Sequence, residues 1–242
     1  MNVTITDSYD AMSRAAADVI AATVTENPHC NLGLATGSTP IGLYADLVRD
    51  YDDGIISFAD VTTFNLDEYR GLDPDHDQSY RYFMNKNLFD LVNIDPAATH
   101  VPDGANPDAD AACEAYEQAI AAAGGVDLQL LGLGHNGHIG FNEPCDHFPV
   151  DTHVVKLTES TINANSRLFD SAEDVPREAY TMGIGTIMRA KKILVVASGA
   201  DKAQIVHDAF FGPVTPEVPA SVLQLHPDVT VIVDAEAGAL CK

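Results

Sequence analysis

Asn31-Leu32-Gly33-Leu34-Ala35-Thr36-Gly37-Ser38-Thr39-Pro40 runs directly into Ile41-Gly42-Leu43-Tyr44-Ala45-Asp46-Leu47-Val48-Arg49. A short apolar run, a turn of small residues and an apolar pattern at helical spacing follow without a linker, as where a strand feeds a helix. The alternation continues outward. Apolar runs predict strands around Val61 to Phe64, Leu128 to Leu133, Val154 to Leu157, Tyr180 to Ile184, Ile193 to Ala197 and Val229 to Val233. Helical patterns fall at Tyr80 to Phe89, Ala109 to Ala123 and Lys202 to Phe210. A first helix follows Ser8, an N-cap residue, with Met12, Ala15, Ala16, Val19 and Ile20 on one face. Apolar strands alternating with helices predict an α/β fold whose mostly parallel sheet is covered on both faces. No repeat or Gly/Ser linker divides the chain, so residues 1–242 read as one domain.

The chain is 46% hydrophobic, enough to bury a large core over 242 residues. Its four cysteines, Cys30, Cys113, Cys145 and Cys241, are scattered without a C-x-x-C pair, which argues against a disulfide scaffold or a thiolate zinc site. Met1 to Tyr9 is polar, unlike a signal peptide, and no apolar run approaches the ~20 residues of a membrane span. A cytoplasmic protein is expected. Lys and Arg total 13 against 36 Asp and Glu, of which 26 are Asp, for a net charge of -23. Such a surface repels phosphate backbones and anionic lipids, so neither nucleic acid nor membrane is an expected partner. Self-repulsion of this size destabilises a fold at low ionic strength, and a halophilic, salt-adapted protein is expected.

The unusual residues gather where strands end. Ala35 to Pro40 follows the first of these strands, and Asn65-Leu66-Asp67-Glu68-Tyr69 the second. The third leads into Gly132-Leu133-Gly134-His135-Asn136-Gly137-His138-Ile139-Gly140-Phe141-Asn142-Glu143-Pro144, and a later one into Ser198-Gly199-Ala200-Asp201-Lys202. In an open parallel sheet, ligands bind at the carboxyl ends of the strands. Turns alone explain Gly and Asp at these points, but not His138, Glu143 and Lys202.

Each segment has a chemical and a plain structural reading. Thr36, Gly37, Ser38 and Thr39, with Thr39 as N-cap and Pro40 opening the helix, offer amides and hydroxyls to a phosphate, or form an ordinary capped turn. The segment is neither a Walker loop nor G-x-G-x-x-G. Arg167 and Lys202 are candidates to complete an anion clamp; Arg167 fits a surface ion pair equally well. Lys202 at a helix start opposes the macrodipole unless an anion is bound there. Asp67 is a candidate base beside a carbonyl or imine, or one more solvated acid in a chain full of them. His138 with Glu143 makes a proton shuttle, or a His satisfied by backbone carbonyls in a Gly-rich turn. His135-x-x-His138 lacks the H-E-x-x-H context of a zinc helix, and no G-x-S-x-G elbow is present. Cys145 lies near these residues with no base motif of its own.

Leu34 to Pro40, Phe64 to Tyr69, and Gly137 to Pro144 resemble the phosphate loop, base segment and signature of the glucosamine-6-phosphate deaminase family. Asn165-Ser166-Arg167, Ser198 to Lys202, and Leu223-Gln224-Leu225-His226-Pro227 match in order and spacing. The likeness covers almost the whole chain. It implies a three-layer α/β/α fold with a Rossmann-like central sheet and a reaction without cofactor or metal. The reaction converts an amino-sugar phosphate, glucosamine 6-phosphate, with water to fructose 6-phosphate and ammonia. In it His138, oriented by Glu143 and Asn136, assists ring opening. Asp67 moves the C2 proton to C1, and Thr36, Gly37, Ser38, Thr39, Arg167 and Lys202 hold the phosphate. An amide at Asn136 orients rather than titrates.

Allosteric members carry serines and basic residues where this chain has Asp146, His147, His153 and Val155, and a C-terminal tail beyond the position of Lys242. A monomer or small homo-oligomer without that activation is therefore expected. Residues 151–182 resemble the family's mobile lid. Two rivals remain. A 6-phosphogluconolactonase shares the Gly-His segment but continues with Ser-Leu-Phe-Pro, where this chain has Phe141-Asn142-Glu143-Pro144. A sugar-phosphate sensor needs neither Asp67 nor His138 and carries a DNA-binding helix pair, for which there is no room before Asn31.

Overall fold

Ile193, Leu194, Val195, Val196 and Ala197 are all buried, on both faces of one strand. Apolar side chains on successive residues suit only a strand covered from both sides, and the sheet around it is parallel. In a computed structural model that describes residues 1–157, 162, 169 and 175–241, seven strands form this sheet: β1 (Asn2–Thr6), β2 (Asn31–Leu34), β3 (Thr62–Asn65), β5 (Thr99–His100), β6 (Leu128–Gly132), β9 (Lys192–Ala197) and β10 (Val229–Asp234). Their order is β1-β10-β9-β6-β2-β3-β5, parallel at every pairing. A smaller antiparallel sheet, β4-β8-β7, is made by β4 (Asp67–Tyr69), β8 (Glu178–Thr181) and β7 (His153–Lys156). The helices flanking the sheets are α1 (Tyr9–Glu26), α2 (Ile41–Asp52), α3 (Tyr80–Asn87), α4 (Ala109–Ala122), α5 (Ile184–Met188) and α6 (Ala203–Phe211). None is long and apolar enough to cross a membrane, among the described residues.

The expected α/β class holds, with four differences. β1 is an edge strand of mostly exposed residues, Asn2 pairing with Thr230, so it has no apolar run to announce it. The expected strand over Tyr180 to Ile184 ends at Thr181, and α5 begins at Ile184. Strands β7 and β8 are antiparallel and leave the main sheet. Thr39 is not an N-cap: Pro40 holds the cap position of α2 without a side-chain bond, and the Tyr9 hydroxyl takes the Gly42 N–H at 2.9 Å. Ser8 does cap α1, accepting from the Ala11 N–H at 3.2 Å. Of the expected lid, β7 and β8 belong to the small sheet; most of residues 158–174 lie outside the described residues. That sheet has its own apolar cluster, which includes Tyr69, Phe141, Leu157, Val175 and Ala179.

Candidate active site

β3, β2, β6 and β9 are consecutive neighbours in the main sheet, so the four polar segments that follow them meet at one end. The chain order runs outward from β2 through β3 to β5, then restarts on the other side of β2 at β6. Such a reversal opens a crevice at the strands' carboxyl ends. A cavity of about 270 Å³ lies there, with Thr36 to Thr39, Asp67, Gly134, His138 and Lys202 on its wall. Of the ten candidate residues, seven line it. Asn136 and Glu143 stand beside His138 without reaching the wall, and Arg167 lies outside the described residues. A larger cavity of about 630 Å³ shares only Phe141 with the first and contains neither Asp67, His138 nor Lys202.

The loop after β2 is held from behind by two tyrosines. The Tyr44 hydroxyl donates to Ala35 O at 2.6 Å, and the Tyr9 hydroxyl donates to Thr39 O at 3.0 Å. Gly37 has φ +103°, a left-handed conformation that favours glycine. Braced in this way at the start of α2, the loop presents small residues to the cavity. In the same cavity wall, the Lys202 ammonium donates to Leu133 O at 2.7 Å, and burial lowers its pKa against the opposing pull of Asp201. Ser198 and the Gly199 N–H are tied to Asp234 at the end of β10, which fixes the turn that carries Lys202.

His138 follows β6. Its ring lies so close over Gly134 that a Cβ there would sit 2.3 Å from the ring atoms, which requires glycine. Nδ1 is 2.8 Å from Asn136 Oδ1 and 3.4 Å from Glu143 Oε1, while Asn136 Nδ2 donates to Glu143 Oε2. Two acceptors at Nδ1 assign the proton to that nitrogen and leave Nε2 as the acceptor. The hydrogen bond with His138 is the first cause that lowers the Glu143 pKa, ahead of the Asn136 bond among the lowering causes.

Asp67 does not end a strand, as its sequence context suggested; it begins β4, opposite Thr181 of β8. The Thr181 hydroxyl accepts from the Phe141 N–H at 3.0 Å, and Asn142 donates to Met182 O at 2.8 Å. These bonds dock the His138 segment against the strand pair that carries Asp67. Asp67 is buried, and burial first, then the charge of Glu68, pushes its pKa up to about 8. A carboxyl in that condition can accept a proton near neutral pH more strongly than a surface acid. Tyr80 and Phe141, which sequence reasoning missed, also line the cavity, and their rings stack at 6.1 Å. Tyr80 opens a helical pattern and so reads as core, and Phe141 stands in the Gly-His segment without a role of its own in the sequence. Tyr44 reads as helix core likewise, while Tyr9 closes a polar stretch. Among the described residues, the one close group of three metal-ligating side chains is Cys145, Asp146 and His147, consecutive and partly or fully exposed; His135 and His138 form no such group.

Comparison with known proteins identifies the chain's relatives. The family model for glucosamine-6-phosphate isomerases/6-phosphogluconolactonase matches residues 5–232. The glucosamine-6-phosphate deaminase of Clostridioides difficile (strain 630) is 55% identical, over 99% of this chain and 96% of that one. That of Clostridium perfringens (strain 13 / Type A) is 54% identical over the whole of both chains. The solved structure of a monomeric glucosamine-6-phosphate deaminase superposes with a TM-score of 0.95 at 45% identity, covering 99% of this chain and 100% of that one. The 6-phosphogluconolactonase of Trypanosoma brucei shares the fold alone, with a TM-score of 0.76 at 21% identity over 98% and 97% of the two chains. This chain belongs to the glucosamine-6-phosphate isomerase/6-phosphogluconolactonase family, on its glucosamine-6-phosphate deaminase branch.

Proposed function

We propose that this chain converts glucosamine 6-phosphate and water into fructose 6-phosphate and ammonia. The observation that carries the reading is the shared cavity. It brings small residues with hydroxyls and amides, Lys202, a buried carboxyl and an imidazole onto one wall. The sugar phosphate is anchored by Thr36, Gly37, Ser38, Thr39 and Lys202, with Arg167 as a further clamp. His138 Nε2 relays the proton of the anomeric hydroxyl to the ring oxygen, which opens the pyranose. Its ring is held by Asn136 and Glu143, and the ionised Glu143 stabilises the imidazolium as it forms. Asp67 then takes the C2 proton, giving an enolamine, and returns it to C1. Water adds to the resulting C2 imine, and ammonia leaves. The anchored phosphate holds C1 and C2 against these groups, so remote binding energy serves the reacting carbons. The family resemblance implies a reaction without a cofactor, and we take the protein to act as a cytoplasmic monomer or small homo-oligomer; the solved relative is monomeric.

Production of ammonia and fructose 6-phosphate from glucosamine 6-phosphate, followed in molar KCl, tests the reading, with 6-phosphogluconolactone run in parallel. Equal yields of both products, lost in Asp67→Asn, support it. Hydrolysis of the lactone without deamination, or binding without turnover by the folded protein, overturns it.

A further inference from the structure

The acid next to the base takes no part in that scheme, yet it is more buried than the base itself. Glu68 is 3% exposed and Asp67 7%. Glu68 Oε1 accepts the Tyr69 N–H at 2.7 Å and the Tyr80 N–H at 3.0 Å, and Oε2 accepts the Arg81 N–H at 2.9 Å. Tyr80 and Arg81 open α3, so the carboxylate occupies the anion position of that helix. α3 already has an N-cap, Ser79, which accepts the Tyr82 N–H at 2.9 Å. Capping alone does not call for a second, buried acid.

Nor is the charge cancelled by an ion pair. Among the described residues the Arg81 guanidinium turns to Thr99, with bonds of 2.6 Å to Oγ1 and 2.9 Å to O, and acts on Glu68 only through space. Burial first pushes the Glu68 pKa up, and the three amide donors and the Arg81 charge pull the other way, toward the ionised form. On the other side of the pair stands Asp67. Around Asp67 are Tyr69 from its own strand, Tyr80 from α3, Tyr116 from α4, His138 from the segment after β6 and Lys202 from the start of α6. Tyr80 and Tyr116 are both pushed well above the ordinary tyrosine range, burial first, and stay neutral there. After burial, the Glu68 charge is the cause that raises the Asp67 pKa.

We infer that Glu68 is a positioning residue for this reaction: its side chain, tied to the amides that open α3, places a second acid next to Asp67 and fixes Tyr80 beside it on the cavity wall. The inference rests on the proposed role of Asp67. It makes Asp67-Glu68 a working pair in which the second acid never touches substrate. The amides at the start of α3 favour a charged Glu68 against its burial, and that charge adds to burial in making Asp67 hold its proton more tightly.

Glu68→Gln tests this. The amide keeps an acceptor for Tyr69 and Tyr80 and loses the charge. The acid limb of the kcat/KM pH profile is expected to move down by about one pH unit, with a severalfold lower plateau from the weaker base. Glu68→Asp, which keeps the charge, is expected to hold the limb near its original position. A uniform fall in kcat with the limb unmoved in Glu68→Gln means a scaffolding role alone and overturns the inference. If Glu68→Gln does not fold, carboxyl-¹³C titration of the unaltered protein decides. Glu68 ionised before Asp67 supports the pair, and the reverse order overturns it. Asp67→Asn run alongside separates the two claims. An active Asp67→Asn with the original limb removes the base itself, whereas an inactive one beside an unmoved Glu68→Gln limb removes only the role of Glu68.

Discussion

Replacing the Asp67 carboxyl by an amide tests the base and the electrostatics of its surroundings in one variant. Burial first, then the Glu68 charge, moves the Asp67 pKa from 3.8 to about 8. Between those values the folded protein binds a proton that the unfolded chain has released, so stability falls as pH rises through the interval. The contribution is fully present below about pH 4 and lost above about pH 8. At 1.36 kcal/mol per unit, the span bounds the loss at roughly 6 kcal/mol. The side chain lines a cavity that water enters, and about half that value, roughly 2 to 3 kcal/mol, is the expected gain for Asp67→Asn near pH 8. For a chain of this length that is a rise in Tm of about 5 to 10 °C. Urea unfolding of both proteins at several pH values in constant molar KCl measures it. The difference should grow with pH, since Asn does not titrate, while turnover falls by about 10²-fold or more. A stability difference that is flat from about pH 5 to 8 would refute the argument, whatever happens to activity.

Three further outcomes are expected. Lys202→Ala should raise KM for the phosphorylated sugar by about 10- to 100-fold, the worth of one charge-assisted bond, with a smaller effect on kcat; steady-state kinetics decides, and an unchanged KM contradicts the clamp. Tyr9→Phe leaves the Gly42 N–H and Thr39 O without their partner. It should lower stability by about 1 kcal/mol and raise KM severalfold by loosening the loop, as read by unfolding and kinetics; a shift in kcat alone would assign Tyr9 to something else. With a net charge of -23, Tm should climb from low to molar KCl as self-repulsion is screened; a salt-independent Tm ends the halophilic reading.

The main sheet was legible because its central strands are apolar on both faces, and β6, β9 and β10 lie where their runs predict. β1 was not, because an edge strand with exposed Ile5 carries no such pattern. β7 and β8 gave strand signals, but orientation is set by which sheet receives a strand, and nothing in Val154 or Tyr180 specifies that. The candidate site was legible where chemistry demands unusual residues at strand ends, as at His138 and Lys202. It was not legible where ordinary residues support it. Tyr9 closes a polar N-terminal stretch and Glu68 reads as one acid among 36; only the folded chain places the first under the loop after β2 and the second at the start of α3.

A protein with 13 basic residues against 36 acids has a general difficulty in holding a phosphate ester. A cluster of lysines would solve it locally, but this cavity uses few. In the proposed function, Thr36 to Thr39, just ahead of α2, offer backbone N–H groups and hydroxyls, which are neutral and exert their pull only at contact. Lys202 adds one cation, half-buried and held by Leu133 O. In molar salt, long-range repulsion from the acidic surface decays over about 3 Å, so an approaching anion meets little of it. Short-range amide bonds, by contrast, are directional and survive that screening. The same logic governs the paired acids. Asp67 and Glu68 are buried, and their mutual repulsion acts across protein rather than electrolyte. The contacts this reading relies on for the substrate are therefore those that concentrated salt weakens least, while the surface charges it screens most are the ones that would oppose binding.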